Sequence, residues 1–251
     1  MQFASLGSGS KGNATLVRAG NSLVMVDCGF SLRETTRRMQ QLGVTAAQLD
    51  AILVTHEHSD HASGVAALSR KFDIPIYLTH GTRATGRVDG GFAYHSFNCD
   101  DEFTIGDLQV TAVAVPHDAA EPCQYRLGCN GLILGILTDL GSITPHVVQH
   151  YAACQALLLE FNHDLPMLLE GPYPHHLKQR VGGDWGHLNN RQAAQLLQMI
   201  DGHNLQHIVV AHISEKNNTR EYAEQALLEV LGCLDRVVFA EQAAGFDWLE
   251  L

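Results

Sequence analysis

The chain has 251 residues, 45% hydrophobic and 17% charged, with 27 acidic against 16 basic side chains and a formal net charge of −11. Such a composition excludes a disordered or fibrous chain, and no apolar run approaches the roughly 20 residues of a membrane-spanning helix. The acidic excess argues against a broad nucleic-acid footprint, although bound divalent cations and a local basic strip would still attract phosphates.

Short apolar runs separated by Gly, Asn and Asp predict strands over 2–6, 14–18, 22–26, 51–55, 76–79 and 108–115. Between them, Ser31 with Glu34 three residues on reads as the start of a helix that ends at Gly43, and a second helix fits 61–72. The theme recurs with strands near 124–127, 132–138, 156–160 and 208–211, helices near 145–151, 190–200 and 220–231, and a closing strand pair at 236–240 and 245–249. No repeat, low-complexity tract or Pro/Ser-rich linker interrupts the pattern. One domain over residues 1–251 is therefore expected, an α/β fold of two sheets packed together and covered by helices. The least regular stretch, GPYPHHLKQRVGGDWG (171–186), is a candidate substrate lip. The opening residues MQFASLGSGSKGN lack the basic start and apolar stretch of a secretory signal, and six cysteines without a CxxC pair suit reduced thiols. A cytoplasmic location is expected.

The chain carries 15 histidines, and the positions of a few carry the chemistry. In THEHSDH (55–61), His56 and His58 are two apart, so an extended backbone directs both imidazoles to one side, and Asp60 and His61 follow on the turn. Four ligands this close together can serve two metals; the bland alternative is a solvated polar loop capping a helix. Three more polar residues stand at the ends of apolar runs: His117 after 113–116, Asp139 after 136–138 and His212 after 208–211. Each alone reads as an ordinary loop residue. As a set with HxHxDH they are ligand candidates, because sites grow where loops converge on a rigid scaffold.

The segments LGSGSKGNAT (6–15), VDCGFS (26–31), THEHSDHASG (55–64), VPHDA (115–119), TDLG (138–141), LEFNHD (159–164), GHLNN (186–190) and AHISEKNN (211–218) resemble the metallo-β-lactamase fold superfamily. Within it they are most similar to the YycJ/WalJ group, hydrolases related to the tRNase Z and RNase J nucleases. The resemblance covers essentially the whole chain and implies an αββα sandwich, two mixed sheets flanked by helices, with metals at one rim. It implies His56, His58 and His117 on one metal, Asp60, His61 and His212 on the other, and Asp139 bridging them. Three imidazoles suit Zn²⁺, whereas two histidines with two carboxylates take Zn²⁺ or Mn²⁺. Two bridged ions would acidify a shared water and polarise a phosphoryl oxygen, so that hydroxide is the nucleophile and no serine or cysteine is needed.

A phosphodiesterase also gains from an acid that protonates the departing alkoxide. His187, in GHLNN, resembles the tRNase Z histidine assigned that role, and Glu160, in LEFNHD, is placed like the acidic residue that orients it; with Asp60 they form the expected catalytic set. A capping histidine at a helix start is the plainer reading of His187. Asn162 and His163 are candidates for ligand support or substrate binding, with an exposed His163 as the alternative. Asp27 resembles an aspartate that hydrogen-bonds behind the HxHxDH loop and orients its histidines. The loop from Ser8 to Asn13 reads either as an anion cradle, with Ser10, Lys11 and Asn13 near a phosphate, or as a simple hairpin turn. Lys178 and Arg180 read as contacts to a nucleic-acid backbone or as a solvated basic pair.

The expected activity is that of a dinuclear metal-dependent phosphodiesterase, a nuclease, and the YycJ/WalJ resemblance implies exonuclease action on DNA from a 5′ end. Asp139 and His212 are 212 − 139 = 73 positions apart, too few for the extra domain that RNase J-type enzymes insert there, and no long Gly/Pro-rich arm of the tRNase Z kind is present. Both features disfavour structured RNA. The alternative substrate is a small phosphodiester, as in PhnP-type cyclic phosphodiesterases, and the net charge of −11 leans that way. A β-lactamase, a di-iron oxidoreductase and a silent metal module are weaker readings, since one scaffold hosts many chemistries. Neither a membrane nor an obligate protein partner is expected.

Overall fold

The computed structural model describes residues 1–251. In chain order one sheet takes β1 (Gln2–Gly7), β2 (Ala14–Ala19), β3 (Ser22–Val26), β4 (Ala51–Leu53), β5 (Pro75–Thr79) and β6 (Ala93–Phe97). The other takes β7 (Glu102–Ile105), β8 (Leu108–Ala114), β9 (Cys123–Cys129), β10 (Leu132–Leu137), β11 (Ala156–Glu160), β12 (His207–Ala211) and β13 (Val237–Phe239), and β14 (Phe246–Glu250) returns to the first. The spatial orders are β14-β1-β2-β3-β4-β5-β6 and β13-β12-β11-β10-β9-β8-β7. Each sheet is antiparallel on one side and parallel on the other, with the change at β3 in the first and at β10 in the second.

Helices α1 (Leu32–Gln41), α2 (Ser59–Ala62), α3 (Val65–Phe72) and α4 (His80–Ala84) follow strands of the first sheet. Helices α5 (Pro145–Tyr151), α6 (Leu165–Glu170), α7 (His175–Val181), α8 (Asn190–Met199) and α9 (Arg220–Leu231) belong to the second half. Strands buried on both faces read as unbroken apolar runs, and their period of two sorts the side chains into layers. On β12, Val209 and Ala211 join Val24, Leu53, Val110 and Tyr125 between the sheets, while Ile208 and Val210 pack under α8 and α9 with Leu197 and Leu227. On β3, Leu23 and Met25 face the other way, toward Met39 of α1 and Leu68 of α3. This is the expected αββα sandwich, and no helix is long and apolar enough to cross a membrane.

Several local expectations are corrected. The helix expected at 61–72 is two helices, α2 and α3, because its hydrogen bonds are exchanged for tertiary ones. The Asp60 carbonyl accepts the Asn13 N–H at 2.7 Å, and the Gly64 N–H donates to the Cys28 carbonyl at 2.8 Å. A Cβ on Gly64 would lie 2.0 Å from the Phe30 carbonyl oxygen, so this approach requires glycine. The closing strands do not pair with each other: β13 is parallel to β12, whereas β14 is antiparallel to β1. The irregular stretch 171–186 contains α7, begun after Pro174 and ended at Gly182. Strands β6 and β7 escaped the sequence pattern because each is the half-exposed outer edge of its sheet.

Candidate metal centre

The seven candidate ligands stand just beyond the carboxyl ends of β4, β8, β10 and β12, where both sheets open on one rim. Donor atoms of His56, His58 and His117 lie within 4.8 Å of one another, as do those of Asp60, His61 and His212. Asp139 sits between the two groups, Oδ2 being 3.1 Å from His61 Nε2 and Oδ1 3.8 Å from His117 Nε2 and 3.6 Å from His212 Nδ1. His212 and Asp27 hold left-handed backbone, φ +51° and +59°. Such strain, of order 1 kcal/mol or more per residue, persists only where surrounding structure imposes it. The His212 N–H donates to Ser8 Oγ at 2.9 Å, and Ser8 Oγ in turn to Asn13 Oδ1 at 3.1 Å.

Partners behind the rings set which imidazole nitrogen faces the site. Asp27 accepts the Thr55 N–H and hydroxyl, both at 2.9 Å, so Thr55 Oγ1 is left to accept His56 Nδ1–H at 2.9 Å. Asp27 Oδ2 also accepts His61 Nδ1–H at 2.8 Å, and the Gly186 carbonyl accepts His117 Nδ1–H at 3.0 Å. The Nε2 lone pairs of His56, His61 and His117 therefore point inward, an arrangement typical of metal-ligating histidines. His58 presents Nδ1, 3.3 Å from His117 Nε2. His56 Nε2 is buried without a hydrogen-bond partner, and Asp139 Oδ2, though close to His61, makes no aligned hydrogen bond. Orphaned donor atoms in a cluster of imidazoles and carboxylates fit divalent cations.

The electrostatics agree with that fit. Burial alone would lower the His212 pKa, but Asp139, the hydrogen bond to Asp60 and the Glu160 carboxylate 3.8 Å away push it up to about 10. His61 is driven up in the same way, with burial outweighed by Asp139, Asp60 and Asp27. Those contacts overcome burial to hold Asp60 and Asp139 below the usual carboxylate range. His56 moves down, through burial and its neighbour His61, and burial lowers His117. The carboxylates thus draw positive charge from two imidazoles, whose protons a cation would replace.

The rim opens into a cavity of ≈ 390 Å³ whose lining includes Ser10, Asp60, Asp139, Asn162, His187 and His212, and also Arg87, Tyr173 and Arg180. His187 is partly exposed there, and its Nδ1 lies 2.9 Å from Glu160 Oε2. Asn162 Nδ2 donates to the His212 carbonyl at 3.1 Å. Arg180 is ion-paired with Asp118, whose Oδ1 lies 3.6 Å from His117 Nε2 and 3.8 Å from His58 Nε2. Thr55 was missed as a support for a ligand histidine, although it adjoins His56 in the quoted motif, and Asp118 was missed as a charge close to His58 and His117. Tyr173, Ser214 and Asn217, which also line the cavity, gave no signal of their own.

His56, His61 and His117 lie beneath the lining with Asp27, Asn13 and Glu160 as their supports or neighbours, and Lys178, His163 and Lys11 are likewise outside it. Lys178 turns away, its Nζ donating to the Leu169 carbonyl at 2.6 Å. His163 is buried behind the rim beside Asn162 rather than exposed, and burial lowers its pKa to about 4. Lys11 pairs with Glu215 on the surface. Most amides of the Ser8–Asn13 loop are taken within the protein, so a full anion cradle is not formed, and Ser10, which lines the cavity, is the one member whose N–H has no partner. Gly9 N–H goes to Asn13 Oδ1, Lys11 N–H to Gln242 Oε1, Gly12 N–H to the Gly9 carbonyl and Asn13 N–H to the Asp60 carbonyl. Asn13 instead supports ligands, with Nδ2 3.1 Å from His61 Nε2 and 3.5 Å from Asp60 Oδ2.

A family profile described as "Beta-lactamase superfamily domain" matches residues 23–213. The chain is 35% identical to an exodeoxyribonuclease YycJ of Bacillus anthracis over 92% of its own length and 89% of the relative's. It is 32% identical to an exodeoxyribonuclease WalJ of Streptococcus pneumoniae, over 93% and 89% of the two chains. Among solved structures it is similar to the metallo-beta-lactamase fold protein YhfI of Bacillus subtilis, with a TM-score of 0.77 and 17% identity over 99% of both chains, a likeness of fold.

Proposed function

The chain belongs to the beta-lactamase superfamily and is a hydrolase of the metallo-β-lactamase fold, and from that premise we propose that it is a dinuclear metal-dependent exonuclease degrading DNA from the 5′ end. One observation carries the phosphodiester reading: His187, an imidazole beyond the seven assigned ligands and anchored by a buried carboxylate, opens on the cavity that His58, Asp60, Asp139 and His212 line. DNA as the substrate is supported by the relatives, both named exodeoxyribonucleases.

His56, His58 and His117 would hold a Zn²⁺-type ion, and Asp60, His61 and His212 a Zn²⁺ or Mn²⁺ ion, with Asp139 shared between them. Bound there, divalent ions supply an acidified water and a polarised phosphoryl oxygen. The protein's own groups do the rest. Glu160 takes the Nδ1–H of His187, and in the imidazolium form that this carboxylate favours, the second proton, on Nε2, is the one given to the departing oxygen. Asp27 and Thr55 keep His56 and His61 in ligating tautomers. Arg87 and Arg180 meet backbone phosphates, and Tyr173 offers a ring on which a base stacks.

The test is a substrate panel: DNA labelled at the 5′ or the 3′ end, RNA, a chromogenic phosphodiester and a β-lactam, with and without chelator. Release of short products from the 5′ end of DNA, abolished by chelator and restored by Zn²⁺ or Mn²⁺, is expected. Cleavage of the small diester with DNA left intact would move the substrate to the alternative class; internal nicks or release from the 3′ end would overturn the polarity.

A further inference from the structure

A second group of donors lies outside the cavity. Helix α5 buries Val147 and Tyr151 and leaves His146 and His150 half-buried one turn apart, their ring centroids separated by 4.4 Å. Asp100, in the turn between β6 and β7 with φ +68°, holds Oδ1 2.9 Å from His146 Nε2, and that oxygen also accepts the Ala114 N–H at 3.1 Å. One donor atom from each of Asp100, His146 and His150 lies within 4.8 Å of the others. An ordinary Asp100–His146 ion pair explains the first contact. It leaves His150 Nδ1, buried and without a hydrogen-bond partner, unexplained.

We infer that Asp100, His146 and His150 form a surface site for a Zn²⁺-class ion, separate from the catalytic cavity, that ties α5 to the β6–β7 turn. Two imidazoles and a carboxylate are a borderline-soft set with room for water as the fourth ligand. Donors about 2.1 Å from a tetrahedral ion sit about 3.4 Å apart, so small rotations of half-exposed side chains close the site. The ion would also brace the end of β8, because Asp100 holds Ala114, three residues before His117.

The test is Zn²⁺ content after gel filtration at micromolar free Zn²⁺, comparing the unaltered protein with the double variant His146→Ala/His150→Ala, with Asp100→Asn and with the control His203→Ala. The unaltered protein and the control are expected to hold about one equivalent more than the double variant. Asp100→Asn keeps an acceptor for the Ala114 N–H, so it should fold while weakening the extra site about tenfold or more. Thermal stabilisation by that equivalent should vanish in both site variants. Equal Zn²⁺ in all four proteins, or equal loss in the control, overturns the site, and Asp100→Asn decides if the double variant does not fold.

Discussion

Glu160 Oε2 accepts the Nδ1–H of His187 at 2.9 Å although the two residues are 27 positions apart, and the other carboxylate oxygen accepts the backbone N–H groups of Leu140 and Leu188. The carboxylate is fully buried and cannot turn. The His187 ring is therefore set with Nε2 toward the cavity. Substituting His187 by Ala should retain the metals yet slow cleavage of a nucleotide linkage by roughly 10²–10⁴, with a much smaller loss on a nitrophenyl diester, whose leaving group needs little protonation. Equal losses on both substrates would make His187 a substrate-positioning group. Glu160→Gln beside it should be non-additive, the double variant being little worse than His187→Ala.

Asp139 lies within 4 Å of His61, His117 and His212, so its loss should weaken both groups of ligands together. Asp139→Ala is expected to lose both ions and activity, whereas Asp27→Asn, which disturbs only the support of His56 and His61, should lower metal affinity about 10- to 100-fold. Elemental analysis separates them. Two ions retained at unaltered affinity in Asp139→Ala would remove it from the ligand set.

The charge balance of the centre predicts a pH dependence. His212 rises from 6.5 to about 10 on folding, so in the metal-free protein its stabilising contribution is full below about pH 6.5 and is lost as pH rises through 10. Asp60 is depressed, so its contribution is present above 3.8 and is lost as pH falls toward the lowered value. Both terms are therefore largely in place around pH 5 to 6.5. Metal binding near pH 8 should expel protons from His61 and His212, and affinity should rise with pH toward 10. Calorimetry in buffers of different ionisation enthalpy counts those protons. Zero release at pH 8 would contradict the arrangement.

Arg180 lines the cavity and Lys178 does not. Arg180→Ala should raise KM for DNA several-fold and reduce the salt dependence of binding by about one phosphate contact, while Lys178→Ala changes neither. Titration at several salt concentrations checks both. A larger effect for Lys178 would mean that α7 turns when substrate binds.

By itself the sequence determined the kinds of donor and the segments that carry them. The HxHxDH spacing is local, and each remaining ligand follows an apolar run whose period already marks a buried strand. The layered fold was legible for the same reason, since β3, β11 and β12 are continuous apolar runs. Tertiary structure alone decided how the pieces meet. Residues 178 and 180 look alike as neighbouring cations, yet two positions on a helix are about 200° apart, so only Arg180 reaches the cavity. The split of the helix expected at 61–72, the assignment of β13 and β14 to different sheets and the Asp27–Thr55–His56 relay all rest on hydrogen bonds between distant segments. Hydrophobic periodicity reports which face of an element is buried, but not which distant carbonyl or carboxylate it will meet there.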